Sequence, residues 1–227
     1  MLRIEKTVLP SPEQWEIIIE GMRNPMNSWD KMDSFECAYD CCDCGNYWDC
    51  QKHGEKPYII GDNDHTLMMG LANGGAVHAK YRRMIPVFLT IDAPLYWWKE
   101  FDTYKVGTVA NSCSTMHKIH AKPFAMDDFS HEHLGKFERG VLGYLIDALN
   151  WARDRFLETN DKDFWWQMIQ LLPSSYNQKR TVMLNYEVLV NIYHSRKHHK
   201  LDEWHVFCAW IEQLPYSEII TGGDAGV

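Results

Sequence analysis

The strongest constraint on the fold is a change of apolar period part-way along the chain. From about residue 131, apolar residues recur at helical spacing. Phe137, Val141, Tyr144, Leu145, Ala148, Leu149, Ala152 and Phe156 belong to one long amphipathic helix. Phe164 to Leu172 reads as a short helix stopped by Pro173, with further helices at Thr181 to His198 and Asp202 to Leu214. Before residue 131 the pattern is mixed. Ser11-Pro12-Glu13-Gln14 has the residues of a helix start: a Ser cap, Pro at the first helical position and Gln at the third. Trp15, Ile18, Ile19 and Met22 follow at helical spacing. Helical spacing returns from Asp64 to Leu71, and Gly74-Gly75 ends it. Val87, Leu89 and Ile91 alternate with Phe88, Thr90 and Asp92, which predicts a strand with both faces partly apolar. Ala93-Pro94 closes the strand and opens a helix carrying Leu95, Trp98 and Phe101. The expected class is α+β, with a mixed N-terminal half and a largely helical C-terminal half.

A chain of 227 residues is expected to form one domain over 1–227, interrupted by a Cys-rich insertion at about 24–57. The formal net charge of −8 argues against binding polymeric nucleic acid, which needs a basic surface. It leaves room for a single nucleotide, because a few local cations hold one phosphate. No apolar run is long enough to span a membrane, and the first residues, Met1-Leu-Arg-Ile-Glu-Lys6, have no apolar signal-peptide core. A cytoplasmic location follows as an expectation, with the seven Cys reduced or metal-bound. Ten Trp exceed what packing alone requires, and surplus Trp lines pockets or subunit interfaces.

The densest chemistry is Cys37-x3-Cys41-Cys42-x-Cys44-x5-Cys50-x2-His53. A closed zinc site needs four soft or borderline ligands in a tetrahedron, and Cys37, Cys41, Cys44, Cys50 and His53 are its candidates here. The paired Cys-x2-Cys knuckles of a zinc ribbon are missing, so an iron–sulfur cluster and a loop of free thiols stay open. Lys80, Arg82, Arg83, Lys99 and Lys105 flank the predicted strand and either gather an anionic ligand or form a solvated basic face. His131-Glu132-His133 near a helix start reads as a capping feature before a metal pair. Glycine-rich phosphate loops and a Gly-x-Ser-x-Gly elbow are absent from the sequence. Thr103 to His120 reads as an irregular polar segment of small residues, a binding loop in which Ser112, Cys113 and Ser114 are candidate substrate ligands. Asn185, Asn191 and Arg196 share one helical stretch but point in different directions, so they address different parts of a ligand or two subunits.

On these residues the chain resembles the ThyX family, the flavin-dependent thymidylate synthases. Leu172-Pro173 running to Asn185 looks like the family's Leu-Pro stretch, and Asn185-x5-Asn191-x4-Arg196 keeps its spacing. Asp202-Glu203-Trp204 stands about where the family has its Ala-Gln-x-Glu helix. His78 starts the counterpart of a His-x-x-Pro-Phe-Glu-His stretch, Val87 to Pro94 is similar to a strand ending in Ala-Pro, and Trp97 to His117 covers the signature segment. There the family reads Arg-His-Arg-x7-Ser-x-Arg, whereas this chain has Thr103-Tyr104-Lys105 and then Cys113 and Thr115. Glu187 stands where the family has Arg, and Tyr81-Arg82-Arg83-Met84 replaces Pro-Phe-Glu-His. Several of the family's phosphate-holding groups are thus missing, and Lys105 keeps a charge without the planar grip of Arg.

The resemblance implies a ThyX-like fold with a small antiparallel sheet, and FAD held by His78, Asn185, Asn191 and Lys105. It implies that Arg196 is the catalytic residue, facing the pyrimidine ring of a dUMP-like nucleotide. It implies a homotetramer with ligands bound between subunits. In an active member, NADPH and methylenetetrahydrofolate are co-substrates and dUMP becomes dTMP. The family's flavin passes a hydride and no enzyme Cys attacks the base, so Cys113 need not be a nucleophile. The competing expectation is a non-catalytic protein that keeps the fold and docks a partner through the Cys-rich insertion.

Overall fold

The structure is a computed structural model that describes residues 2–36 and 58–222. Strand β1 (Arg3–Val8) leads to helix α1 (Pro12–Arg23). The expected start of α1 is present as a full capping box: Gln14 N–H donates to Ser11 Oγ, and Ser11 N–H donates to Gln14 Oε1 at 2.9 Å. Short strands β2 (Phe35–Glu36) and β3 (Tyr58–Ile59) pair at the base of the insertion. Cys37, Cys41, Cys44, Cys50 and His53 lie outside the described residues, so the metal expectation falls there. Among the described residues there is no group of three or more His, Cys, Asp or Glu able to hold a metal ion.

Helix α2 (Asp62–Asn73) ends at Gly74, as the double glycine predicts. A 3₁₀ turn over Ala79–Met84 feeds strand β4 (Pro86–Pro94), and helix α3 (Leu95–Phe101) starts straight from Pro94. Strand β5 (Val109–Ser112) lies inside the segment read as irregular. Then come α4 (Lys136–Thr159), α5 (Lys162–Leu171), β6 (Asn177–Asn185), α6 (Tyr186–Arg196), α7 (Asp202–Glu212) and α8 (Glu218–Thr221). The helix read over Thr181 to His198 is therefore two elements, a strand and a helix meeting at Asn185. The reason is a change of period within the segment. Gln178, Val182 and Leu184 are buried at alternate spacing, as one face of a strand requires. Helical burial begins only with Tyr186, Val188, Leu189 and Ile192.

The main sheet has the order β1-β4-β6-β5, all antiparallel. Val87, Leu89, Ile91 and Ala93 of β4 join Val182 and Leu184 of β6 on the face that packs into the large core with α1, α6 and α7. The opposite face carries Phe88 and Thr181 to the surface, where Lys6, Val8, Phe88, Leu89, Thr90 and Thr181 line an open hollow. Part of the tryptophan surplus is internal. Trp97 meets Trp204 at 4.8 Å and Phe101 at 5.1 Å, centroid to centroid, between α3 and α7. Tyr96 donates to the buried Glu203, a second tie between these helices. A smaller apolar cluster, including Phe124, Phe129, Leu142, Leu149 and Met168, lies under α4 and α5. No described helix is long and apolar enough to cross a membrane.

Candidate functional site

The site is built around α6, which carries a candidate at each end. Asn185 ends β6 and caps α6: its Oδ1 accepts the Val188 N–H at 3.1 Å. The cap fixes the amide's orientation and leaves Nδ2 without a hydrogen-bond partner among the described residues. The loop after α3 presses close to this point. A Cβ on Gly107 would stand 3.1 Å from Val188 Cγ2 and 3.3 Å from Asn185 Nδ2, and Gly107 has φ of +80°. Only glycine suits both demands. Lys105, two residues earlier, is exposed. Asn191 is exposed midway along α6. His78 is exposed at the start of the 3₁₀ turn, which packs against α6.

At the other end, Arg196 occupies the last turn of α6, where the helix dipole favours a cation. Its Nε donates to Tyr104 Oη at 2.9 Å and its Nη1 to Glu100 Oε2 at 2.8 Å. Its guanidinium carbon lies 4.9 Å from the centroid of the buried Trp204 ring. Glu100 Oε2 also accepts the Trp204 indole N–H at 2.9 Å, and His199 Nε2 approaches it at 3.3 Å. The sequence reading missed Glu100, Trp204 and His199 as a group. A cation on a half-buried helix demands a carboxylate, but sequence spacing does not say which of several nearby acids supplies it.

Other expected residues lie apart from this cluster. β5 runs antiparallel to β6, with Val109 opposite Met183 and Ser112 opposite Arg180. The Ser112–Cys113–Ser114 stretch is therefore beside the N-terminal end of β6, where Cys113 N–H donates to Lys179 C=O at 2.9 Å. Lys179 and Asn185 are six residue steps apart along β6, about 20 Å. Ser114 Oγ accepts the His117 N–H at 2.8 Å, so this hydroxyl shapes its own turn. Within one chain, these three residues and the α6 candidates do not converge on one small ring.

The basic group also divides. Arg82 is buried, 3.7 Å from Glu187, and cannot serve as an open anion ligand. Thus the two departures noted in the sequence, Arg82 and Glu187, face one another. Lys80, Arg83, Lys99 and Lys105 are exposed and make no ion pair among the described residues. Arg180 pairs with Asp102 at 2.8 Å and lies 4.3 Å over Trp98. His131 Nδ1 is 2.8 Å from Phe129 C=O, and His133 is 3.1 Å from Asp202, so His131-Glu132-His133 is not gathered into a metal centre.

The geometry finds close counterparts among solved structures. The chain superposes on thymidylate synthase X (ThyX) from Helicobacter pylori, in a structure described with FAD and dUMP, with a TM-score of 0.62 over 98% of this chain and 97% of that one. A second structure of that enzyme complexed with FAD and dUMP gives 0.59 over 98% of both chains. The UMP/dUMP methylase PolB from Streptomyces cacaoi, bound with 5-Br dUMP, gives 0.58 over 98% and 94%. This chain has their fold. Identity is 16% to the two ThyX structures and 12% to PolB, so the likeness lies in the architecture. No family model matches the chain, and no curated protein matches it in sequence.

Proposed function

We propose that the chain is a flavin-dependent enzyme acting on a pyrimidine nucleotide. In its fullest form it is a thymidylate synthase that converts dUMP to dTMP, with NADPH and methylenetetrahydrofolate as co-substrates. The observation that carries this reading is the near-complete superposition on structures described with FAD and dUMP. A dUMP methylase with the same fold supports pyrimidine methylation as the wider class.

The residues present fit a flavin in the chemistry of their donors. Asn185 Nδ2, the exposed Asn191 amide, His78 and Lys105 offer hydrogen bonds to a heteroaromatic edge and one positive charge for phosphate. Bound flavin supplies a hydride. The chain's own part is to hold the base: Arg196 offers a fixed N–H donor to a pyrimidine carbonyl. Lys80, Arg83, Lys99 and Lys105 are among the exposed cations open to phosphates. The distance of about 20 Å between Ser112–Ser114 and Asn185 fits a site assembled from more than one copy, in keeping with a homotetramer.

The test is the visible absorption of the purified protein before and after adding FAD. Bound flavin bands, bleached by NADPH and perturbed by dUMP, are the expected result. A protein that stays colourless with FAD and ignores dUMP overturns the reading.

A further inference from the structure

We propose that Glu100 is a positioning residue that neutralises Arg196 and leaves its Nη2 to donate to a neutral carbonyl oxygen in preference to a phosphate. The inference rests on the reading above for the identity of that carbonyl as a pyrimidine's, and it adds a residue and a ligand class to the same site. Two donors converge on Glu100 Oε2, Arg196 Nη1 at 2.8 Å and Trp204 Nε1 at 2.9 Å, and His199 Nε2 stands 3.3 Å away. Trp204 is fully buried, so its indole N–H is a fixed point that holds the carboxylate in place. Glu100 in turn holds Nη1, Tyr104 Oη holds Nε at 2.9 Å, and the Trp204 ring supports the guanidinium plane. Of the guanidinium nitrogens, Nη2 alone has no hydrogen-bond partner among the described residues. The side chain keeps 18% exposure, so a ligand can reach it.

The sign of the local charge decides what this donor takes. Arg196 and Glu100 together carry almost no net charge. A phosphate drawn to Nη2 enters the field of the Glu100 carboxylate at close range, where like charges repel. A ring carbonyl brings no net charge and accepts from Nη2 without that repulsion. Phosphate groups are left to exposed cations that pair with no carboxylate among the described residues, such as Lys80, Arg83, Lys99 and Lys105.

The experiment compares the full-length protein with Glu100→Gln, using NMR of the Arg196 side-chain Nε–H. The probes are deoxyuridine, which has the base and no phosphate, and inorganic phosphate. In the wild type, deoxyuridine shifts the resonance and phosphate does not. In Glu100→Gln, phosphate gains access with at least a tenfold rise in apparent affinity, and deoxyuridine affinity falls about tenfold. Gln keeps an acceptor for the Trp204 indole, so the fold is retained. Should it not be, Tyr104→Phe is the second variant: it weakens the deoxyuridine response and keeps the discrimination against phosphate. Equal responses to phosphate in wild type and Glu100→Gln, or no wild-type response to deoxyuridine, overturn the assignment. A protein that binds no FAD yet shows the expected responses removes the flavin reading and leaves the role of Glu100 standing.

Discussion

Beneath the insertion, the side chains of Arg23 and Asp64 are 3% and 0% exposed; at the end of α6, those of Arg196 and Glu100 are 18% and 33% exposed. Each pair joins an arginine at the end of one helix to a carboxylate on another, yet their surroundings differ. Asp64 accepts Arg23 Nε at 2.5 Å on Oδ1, and on Oδ2 the Asp33 and Ser34 N–H groups at 3.0 and 2.9 Å and the Ser34 hydroxyl at 2.6 Å. Asp33 answers by capping α2, accepting the Asn63 and Asp64 N–H groups at 2.9 and 3.0 Å. The carboxylate pair thus locks the chain before the insertion onto the helix after it. In the other pair the carboxylate accepts on Oε2 alone, from Arg196 and Trp204 among the described residues, and the arginine keeps a donor that solvent or a ligand can reach. Arg23 also leaves Nη2 without a partner among the described residues, but that nitrogen is buried, so the charge holds structure; a charge held in place with its spare donor open to solvent is available for recognition.

Stability is the measurement that breaks this comparison most sharply. Asp64→Asn leaves Arg23 buried without its counter-charge and is expected to cost about 3–5 kcal/mol in urea unfolding, the range for removing one partner of a buried pair. A loss below about 1 kcal/mol refutes the anchor. The same residue makes a pH prediction. Burial pushes its carboxyl upward, and the Ser34 hydroxyl, the Asp33 amide and Arg23 outweigh burial and hold it below its ordinary value of 3.8. A group whose folded pKa is lowered contributes stability above its unfolded pKa and loses it as pH falls toward the folded value. Wild type and Asp64→Asn are therefore expected to differ fully at pH 7 and to converge below about pH 4. A gap that does not narrow in acid assigns the cost to something other than the charge.

At the other pair, Arg196→Ala is expected to cost only about 1 kcal/mol of stability, because the pair is partly solvated and Glu100 keeps Trp204 and His199. On the proposed reading, turnover is expected to be lost while most flavin binding remains, read by steady-state kinetics beside a flavin titration. A variant that unfolds instead makes Arg196 a structural partner like Arg23.

The core was readable from the sequence because burial writes a period into it. The cap at Ser11, the stop at Gly74, the alternation from Val87 to Ile91 and the turn at Pro94 each correspond to side chains with one buried face. The edge strands left no such mark. β5 is exposed at all four positions and β1 at all but one, so their pairing is carried by backbone hydrogen bonds that no side-chain pattern announces. β6 was hidden differently: its buried alternation runs without a break into the apolar stripe of α6, and Asn185 was the available signal, an N-cap at the seam. At the candidate site, spacing and resemblance pointed to Asn185, Asn191 and Arg196. Glu100 and Trp204 come to Arg196 from elements 96 and 8 residues away in the chain, and only the packing of α3 and α7 against α6 brings them together.

The smallest expected effect separates the two supports of Arg196. Tyr104→Phe removes one hydroxyl acceptor from a partly exposed donor that water can satisfy, so stability should fall by less than about 1 kcal/mol. Trp204→Phe removes a buried indole that donates to Glu100 and packs on Trp97, and should cost more, about 2 kcal/mol or above. The order is set by burial: the phenol is at the rim and the indole is in the core. Thermal melts of the two variants side by side check it. If Tyr104→Phe proves the more damaging, the phenol is a structural element of the loop before Gly107, and Arg196 is held for the fold in the manner of Arg23.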